Sequence, residues 1–264
     1  YHGKDTKIKK LFGVGSNQMS LGNLWSKCTR FIFKLSAGYP RGSQAGSVMA
    51  LAAFGDPEKY YLDFKKMITD DFRHIVVPPP GTVRGKHVPP EEDVIHPYLN
   101  KYRKIAESNE QEKFNLAASL QKVTEEIVYQ VIDSTLTYCK ENNINFENLC
   151  LSGGVSLNSV MTGKLVKKYE GVIKKFYIPP VPYDGGLNIG ACQYHWHHVL
   201  GKERDYQIFV SPYLGETYSD KRIFKAIKSR KDKVNFKTVS IENIVELLKQ
   251  DKIISMFQGR SESG

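Results

Sequence analysis

An α/β fold is what the sequence predicts, and three observations predict it. Two apolar runs, 148–152 and 174–178, are short enough to be strands. Each is followed by a glycine-bearing turn, Gly153-Gly154 and Gly185-Gly186, and then by a segment of helical spacing, 155–169 and 187–200. Ahead of both lies a long run over 114–138 in which Leu116, Leu120, Val123, Ile127, Val131 and Leu136 recur near the helical period. Strand, turn, helix, strand, loop, helix is the order from which sheets of crossover units are built.

The remaining elements follow along the chain. The first 60 or so residues are rich in Gly, Ser and aromatics, with small-residue turns at Gly13, Gly15, Gly38, Gly42 and Gly46. Ser47 to Phe54 is a short Ala-rich apolar stretch closed by Gly55-Asp56-Pro57, a stop signal. Residues 58–74 have helical spacing, and 75–98 is the Pro-rich region, with Pro78, Pro79, Pro80, Pro89, Pro90 and Pro97. It reads as an extended insertion or lid. Ala117-Ala118 supports the long helix, and Asn142 with Asn143 suits its C-terminal turn. After about residue 203 comes a basic segment, then a predicted helix over 241–248 and a predicted last strand over 252–257. This divides the chain into 1–203 and 204–264, and no internal repeat is visible.

Composition narrows the class. The 264 residues are 41% hydrophobic, 25% charged and 11% aromatic, which excludes disordered, collagenous and low-complexity chains. No run approaches the roughly 20 apolar residues of a membrane helix, so no membrane partner is expected. The opening Tyr1-His2-Gly3 carries no initiator Met and no apolar run, and does not read as a signal peptide. Lys and Arg number 38 against 28 Asp and Glu, a net charge of +10 that favours anionic ligands. The dense stretch Lys221, Arg222, Lys225, Lys228, Arg230, Lys231, Lys233 and Lys237 reads as a solvated helix face, with nucleic-acid binding as the lesser alternative. Cys28, Cys139, Cys150 and Cys192 are scattered, with Cys150 and Cys192 in apolar surroundings. They read as free thiols of a reducing cytoplasm.

Chemistry in such a fold belongs at the C-terminal ends of strands, where helix N-termini present N–H donors. In Ser152-Gly153-Gly154-Val155-Ser156-Leu157-Asn158 the paired glycines let a ligand approach the backbone, and Asn158 can reach a sugar hydroxyl or phosphate oxygen. Tight turns also use glycine for steric reasons alone, so nucleotide binding is one reading of two. In Pro179-Pro180-Val181-Pro182-Tyr183-Asp184-Gly185-Gly186, Asp184 is the only carboxylate, an N-cap or a ligand for a hard cation. His195-Trp196-His197-His198 reads as surface near a helix end rather than a metal site, since no Cys or carboxylate partner lies nearby in sequence.

Taken together the segments carry a resemblance. Ser20-Leu21-Gly22-Asn23-Leu24-Trp25, Gly46 to Gly55, Ala117-Ala118-Ser119-Leu120-Gln121 with Glu125-Glu126, Leu151 to Asn158, Ile178-Pro179-Pro180, Asp184 to Ala191, Ser211-Pro212-Tyr213-Leu214-Gly215 and Phe257 to Gly264 occur in that order. The set resembles the carbamoyltransferase family, which includes the nodulation and antibiotic O-carbamoyltransferases. The resemblance implies an actin-like/sugar-kinase-like ATPase fold, here incomplete, with a mixed sheet and flanking helices. It implies a biosynthetic enzyme that passes a carbamoyl group from carbamoyl phosphate, through a carbamoyl-adenylate made with ATP, to the hydroxyl of a small-molecule acceptor. Gly153, Gly154, Val155, Asn158 and Gly185 match the adenylate-binding segments, and Asp184 matches the aspartate ligand of a divalent metal, Fe2+ or similar. The family's metal histidines precede the first matched segment, so the remaining His ligands are expected outside this chain. The segment 204–264 is then the end of the actin-like domain and the start of a linker to an adenylate-forming domain, and the isolated chain is expected to be inactive. The resemblance admits a homodimer and calls for no nucleic acid.

Two positions depart from the family: Ser47 stands where it usually has Lys, and Ala50 where it has Gly. The lost cation keeps open a second reading, an actin-like nucleotide-binding module that transfers nothing.

Overall fold

The structure is a computed structural model that describes residues 1–13, 20–35, 44–67, 97–204, 211–213 and 215–262. It is a mixed α/β protein in which one helix organises the rest. That helix, α5, spans Glu110–Glu141 and is the longest element, as the periodicity predicts, though it extends several residues past both expected ends. Its start is set by Asn109, whose side chain accepts the Glu112 N–H at 2.8 Å. Its end is set by Asn143, which takes a left-handed φ of 52° while the Ile144 N–H returns to the Cys139 carbonyl.

Along its length α5 serves two apolar cores. The N-terminal half, through Leu116, Ala117, Leu120, Val123 and Ile127, packs with the helices α1 (Leu21–Phe31), α2 (Ala45–Leu51), α3 (Tyr61–Lys65) and α4 (Pro97–Ser108). The C-terminal half, through Ile132, packs with Leu165, Tyr169 and Ile173 beneath the strands β3 (Asn148–Cys150) and β4 (Lys175–Tyr177). Three polar residues on the buried side of α5 tie other segments to it. Asn115 Oδ1 accepts the Asp56 N–H, Ser119 Oγ the Tyr60 N–H, and Thr124 Oγ1 the Trp25 indole N–H, at 2.9, 3.0 and 2.9 Å.

Several expectations are corrected. The Gly- and Ser-rich opening contains α1, started by Ser20, whose hydroxyl accepts the Asn23 N–H. It also contains an antiparallel hairpin of β1 (His2–Lys4) and β2 (Lys7–Lys9). The Ala-rich stretch is α2 followed by a 3-10 turn, Ala52–Phe54. Most of the Pro-rich region 75–98 and the end of the expected 58–74 helix lie outside the described residues, but Pro97 opens α4, where its missing N–H costs nothing. The expected strand over 252–257 is not one: no described segment pairs with it, and Ile253 and Phe257 are fully or largely exposed. The described strands form two two-stranded sheets, β1–β2 antiparallel and β3–β4 parallel.

The chain divides into two compact units, Tyr1–Asp205 and Tyr206–Gly264. The second holds α8 (Asp220–Lys228), which carries part of the basic stretch on an exposed helix, and α9 (Ile241–Lys249), begun by a Ser240–Asn243 capping box. Phe224 and Phe236 meet edge to face, and the Gly215 N–H bonds to the Ser261 carbonyl at 2.9 Å.

Gly55 shows how closely α5 is approached. Its φ is ordinary, but a Cβ there would lie 2.1 Å from the Phe114 carbonyl oxygen. Gly55→Ala should therefore cost about 2–3 kcal/mol, read as a lower denaturant midpoint, and an unchanged midpoint would contradict this packing.

Candidate functional site

The two glycine-bearing turns leave neighbouring strands at the same end. β3 and β4 run parallel in the register Asn148↔Lys175, Leu149↔Phe176 and Cys150↔Tyr177, and the Leu151 N–H extends the ladder to the Tyr177 carbonyl. Parallel strands put both C-terminal ends together, so 152–158 and 182–186 lie side by side. The Pro182 carbonyl joins them, accepting the Gly153 N–H at 2.5 Å and the Ser152 hydroxyl at 3.1 Å. Proline has no N–H of its own, and the carbonyl of Pro182 is the group that bridges the turns.

Glycine is needed here for two different reasons. Gly153 has φ +102°, a conformation that side chains rarely adopt, although a Cβ would meet nothing within 4 Å. Gly186 has ordinary φ, yet a Cβ would sit 2.2 Å from the Val181 carbonyl oxygen. The first requirement is conformational and the second steric. The expected helix from Val155 is instead a 3-10 turn, Gly154–Leu157, followed by α6 (Ser159–Lys168). Within the turn the first bonded amide is that of Ser156, to the Gly153 carbonyl. By position, Gly154 and Val155 head the turn, where N–H groups have no acceptor within the turn itself. Gly153 and Gly154 are exposed, and Val155 is half-buried against the main core.

Asn158 occupies a different place from the one its sequence position suggests. It is buried at 4% exposure and caps α6, its Oδ1 accepting the Met161 N–H at 3.1 Å. Its side chain pairs reciprocally with Gln121 of α5. Asn158 Nδ2 donates to Gln121 Oε1 at 2.7 Å, and Gln121 Nε2 donates to Asn158 Oδ1 at 3.1 Å. Gln121 Nε2 also donates to Glu125 Oε1 at 2.8 Å, and Lys164 Nζ from α6 reaches both Glu125 oxygens at 2.8 and 2.7 Å. Past the end of α6, the Tyr169 hydroxyl lies 2.9 Å from Asp133 Oδ1 on α5. Burial, with the Asp133 carboxylate beside it, holds that phenol protonated well above its usual range. The residues that reading the sequence left without a role are Gln121, Glu125 and Lys164. The signal was present in the four-residue spacing of Gln121 and Glu125, which puts both on one helix face.

Asp184 is exposed and opens the 3-10 turn Asp184–Gly186 ahead of α7 (Leu187–Gln193). It caps neither: Tyr183 and Gly186 hold the cap positions, and no side-chain cap bond forms at either. The N-cap reading of this carboxylate is thus set aside. Among the described residues no three His, Cys, Asp or Glu side chains are grouped to hold a metal ion. Asp184 presents one hard oxygen donor, and a metal there would need ligands from beyond the described residues.

The expected helix 187–200 is α7 continued by a π-helical segment, Tyr194–Val199. His198 serves the hairpin: its Nδ1 accepts the Ile8 N–H at 3.0 Å, and its carbonyl accepts from Lys7 Nζ at 2.6 Å. His197 Nδ1 meets the Lys202 carbonyl at 2.9 Å. All four cysteines are free thiols. Cys28 and Cys139 are core residues, and burial pushes the Cys28 thiol up to about 12, whereas Cys150 and Cys192 are exposed despite their apolar sequence surroundings.

Fold and site together define an α/β protein whose two glycine-bearing turns converge at the C-terminal ends of parallel strands. The family model for the carbamoyltransferase N-terminus matches residues 2–193. The chain belongs to the carbamoyltransferase family. It is similar to an uncharacterised protein of Synechocystis sp., 32% identical over 161 residues that make up 58% of this chain and 25% of that one. It is also similar to the nodulation protein NolO of Bradyrhizobium diazoefficiens, 23% identical over 223 residues, or 82% of this chain and 37% of the relative. An uncharacterised protein of Methanocaldococcus jannaschii is 26% identical over 161 residues, covering 58% of this chain and 28% of its own. The chain thus spans between a quarter and 37% of the length of these curated relatives. No helix among the described residues is long and apolar enough to cross a membrane.

The two glycines should respond to substitution by their separate causes. Gly153→Ala is expected to cost about 1–3 kcal/mol of stability. Gly153→Asn should cost about as much, because φ +102° with ψ 157° lies in a region essentially confined to glycine. At Gly186 the cost should instead grow with the size of the side chain, since any Cβ meets the Val181 oxygen. Thermal melts of the variants check this, and a Gly153→Ala variant as stable as the wild type would contradict the conformational cause.

Proposed function

We propose that this chain contributes the adenylate-binding turns of an O-carbamoyltransferase with an actin-like/sugar-kinase-like ATPase fold. The parent enzyme would use carbamoyl phosphate and ATP to form carbamoyl-adenylate and pass the carbamoyl group to a hydroxyl of a small-molecule acceptor. One observation carries the reading: the 152–158 and 182–186 turns, separated in sequence, are joined at the Pro182 carbonyl at one end of a parallel strand pair. That is where α/β proteins bind nucleotides.

In the transfer step the acceptor oxygen attacks the carbamoyl carbon of the mixed anhydride. The bond from that carbon to the phosphate oxygen breaks, AMP leaves with the electron pair, and the hydroxyl proton passes to a base or to solvent. The chain's own contribution is binding and charge stabilisation. The Gly154 and Val155 amides, with the amide of Gly185 beside them, are placed to donate to phosphate oxygens as negative charge grows on the leaving group. Asn158 holds the turn in shape from beneath and retains a second amide hydrogen for the ligand. A divalent metal, when bound, would polarise an oxygen of the reacting group, with Asp184 the ligand that the described residues offer.

A second reading, a nucleotide-binding module without transfer, is favoured by α2. Its sequence Ala45–Leu51 contains no cation, with Ser47 exposed where the family usually has Lys.

Asp184→Ala separates the two. Because this carboxylate is exposed and caps nothing, its loss should leave stability within about 0.5 kcal/mol. In the full-length protein supplied with carbamoyl phosphate, ATP and a panel of hydroxylated acceptors, the wild type should release diphosphate and carbamoylate an acceptor. The variant should transfer at least about a hundredfold more slowly with ATP affinity unchanged. A wild type that binds ATP but releases no diphosphate and carbamoylates nothing leaves the binding-module reading in its place.

A further inference from the structure

The side chains between α5 and α6 are more polar than packing requires. Two helices can bury such a contact with apolar residues alone, and replacing buried ionic groups by hydrophobic ones is often neutral or stabilising. Here Gln121, Glu125 and Asn158 are all more than nine-tenths buried.

Their hydrogen bonds close around Asn158. Its Oδ1 takes two donors, the Met161 N–H and Gln121 Nε2, and its Nδ2 gives one hydrogen to Gln121 Oε1. Gln121 spends both Nε2 hydrogens, on Asn158 Oδ1 and on Glu125 Oε1. A carboxylate can only accept, so Glu125 dictates which end of the Gln121 amide faces it, and Gln121 dictates which end of the Asn158 amide faces α5. Turning either amide over would set oxygen against oxygen. Lys164, reaching Glu125 from α6, holds that carboxylate in place. The order of command is Lys164, Glu125, Gln121, Asn158, and it ends at a residue whose backbone N–H closes the 3-10 turn on the Val155 carbonyl at 3.0 Å. That turn carries the Gly154 and Val155 amides.

We infer that Gln121 and Glu125 are positioning residues for nucleotide binding, which fix the Asn158 amide and through it the geometry of the 153–158 turn. This rests on the reading of that turn as part of an adenylate site. Neither side chain need touch the nucleotide. Their effect belongs in the affinity of the site and is separable from the stability of the fold.

The test is ATP affinity at the 153–158 turn of the full-length protein, read from protection of its amides against hydrogen exchange as ATP is titrated, so that ATP held by an adenylate-forming domain does not enter the reading. Gln121→Leu and Glu125→Leu should each weaken ATP binding about tenfold, because the first leaves the Asn158 amide without its partner and the second frees the Gln121 amide that orients it. Glu125→Gln, which keeps an acceptor for Gln121, should recover most of that loss. Ile132→Val, a core substitution elsewhere on α5, lowers stability without touching the network and should bind ATP as the wild type does. Wild-type affinity in both Leu variants overturns the inference, as does an equal loss in Ile132→Val, which would trace the effect to stability alone. A wild type that takes up no ATP overturns the adenylate reading and the inference with it. Should both Leu variants fail to fold, Lys164→Met removes only the half-exposed end of the network. It should weaken ATP about two- to threefold, and no change there is equally fatal.

Discussion

The reciprocal amide pair of Gln121 and Asn158 joins the longest helix to the turn at the strand ends, and the geometry of the site depends on it. An amide pair buried between two helices satisfies itself only in one mutual orientation, so it fixes rotation and height of α6 against α5 together. The other polar residues on the same helix work alike. Asn115 and Ser119 receive backbone amides from 56–60, and Thr124 receives the indole of α1. Together these bonds bring two segments distant in sequence, 56–60 and α1, to one helix. The apolar cores on either side then supply the stabilisation that holds these segments closed.

Much of this arrangement is legible in the residues. The apolar spacing from Leu116 to Leu136 is enough to find α5, because a helix with a continuous buried stripe repeats its signal over many turns. The strands and their glycine turns are legible because apolar run, glycine pair and helical spacing follow one another without interruption. The mixed α/β class followed from that order. What escaped was held by partners far away in sequence. α1 is short, and its burial comes from α2, α4 and the 154–157 turn, most of them far on in sequence. The 252–257 run is apolar enough for a strand, but a strand exists only where a neighbour pairs with it. Cys150 and Cys192 lie in apolar sequence yet face outward, since sequence neighbours do not reveal which side of an element is covered.

The site was half legible in the same sense. Glycine pairs after strands marked both turns, yet nothing local could say that Gly153 is needed for its φ and Gly186 for want of space. Asn158 was visible as a polar residue at a helix start. Only the structure shows that its cap position and its pairing with Gln121 take up most of its hydrogen-bonding capacity. Asp184 moved the other way. Its sequence position suits an N-cap, but the bend at Tyr183 carries it off the cap and leaves an exposed carboxylate beside the turns. Within residues 2–193, which the family model matches, the described site comprises two backbone turns, the Asp184 carboxylate and a buried polar network behind them.

The central claim is that the two turns form a single nucleotide site. Amide hydrogen exchange of the full-length protein with and without saturating ATP addresses it residue by residue. The account predicts slowed exchange at amides of both 153–158 and 183–187 on addition of ATP, appearing over the same range of ATP concentration. Slowing confined to one turn, or found only elsewhere while ATP is demonstrably bound, would contradict it.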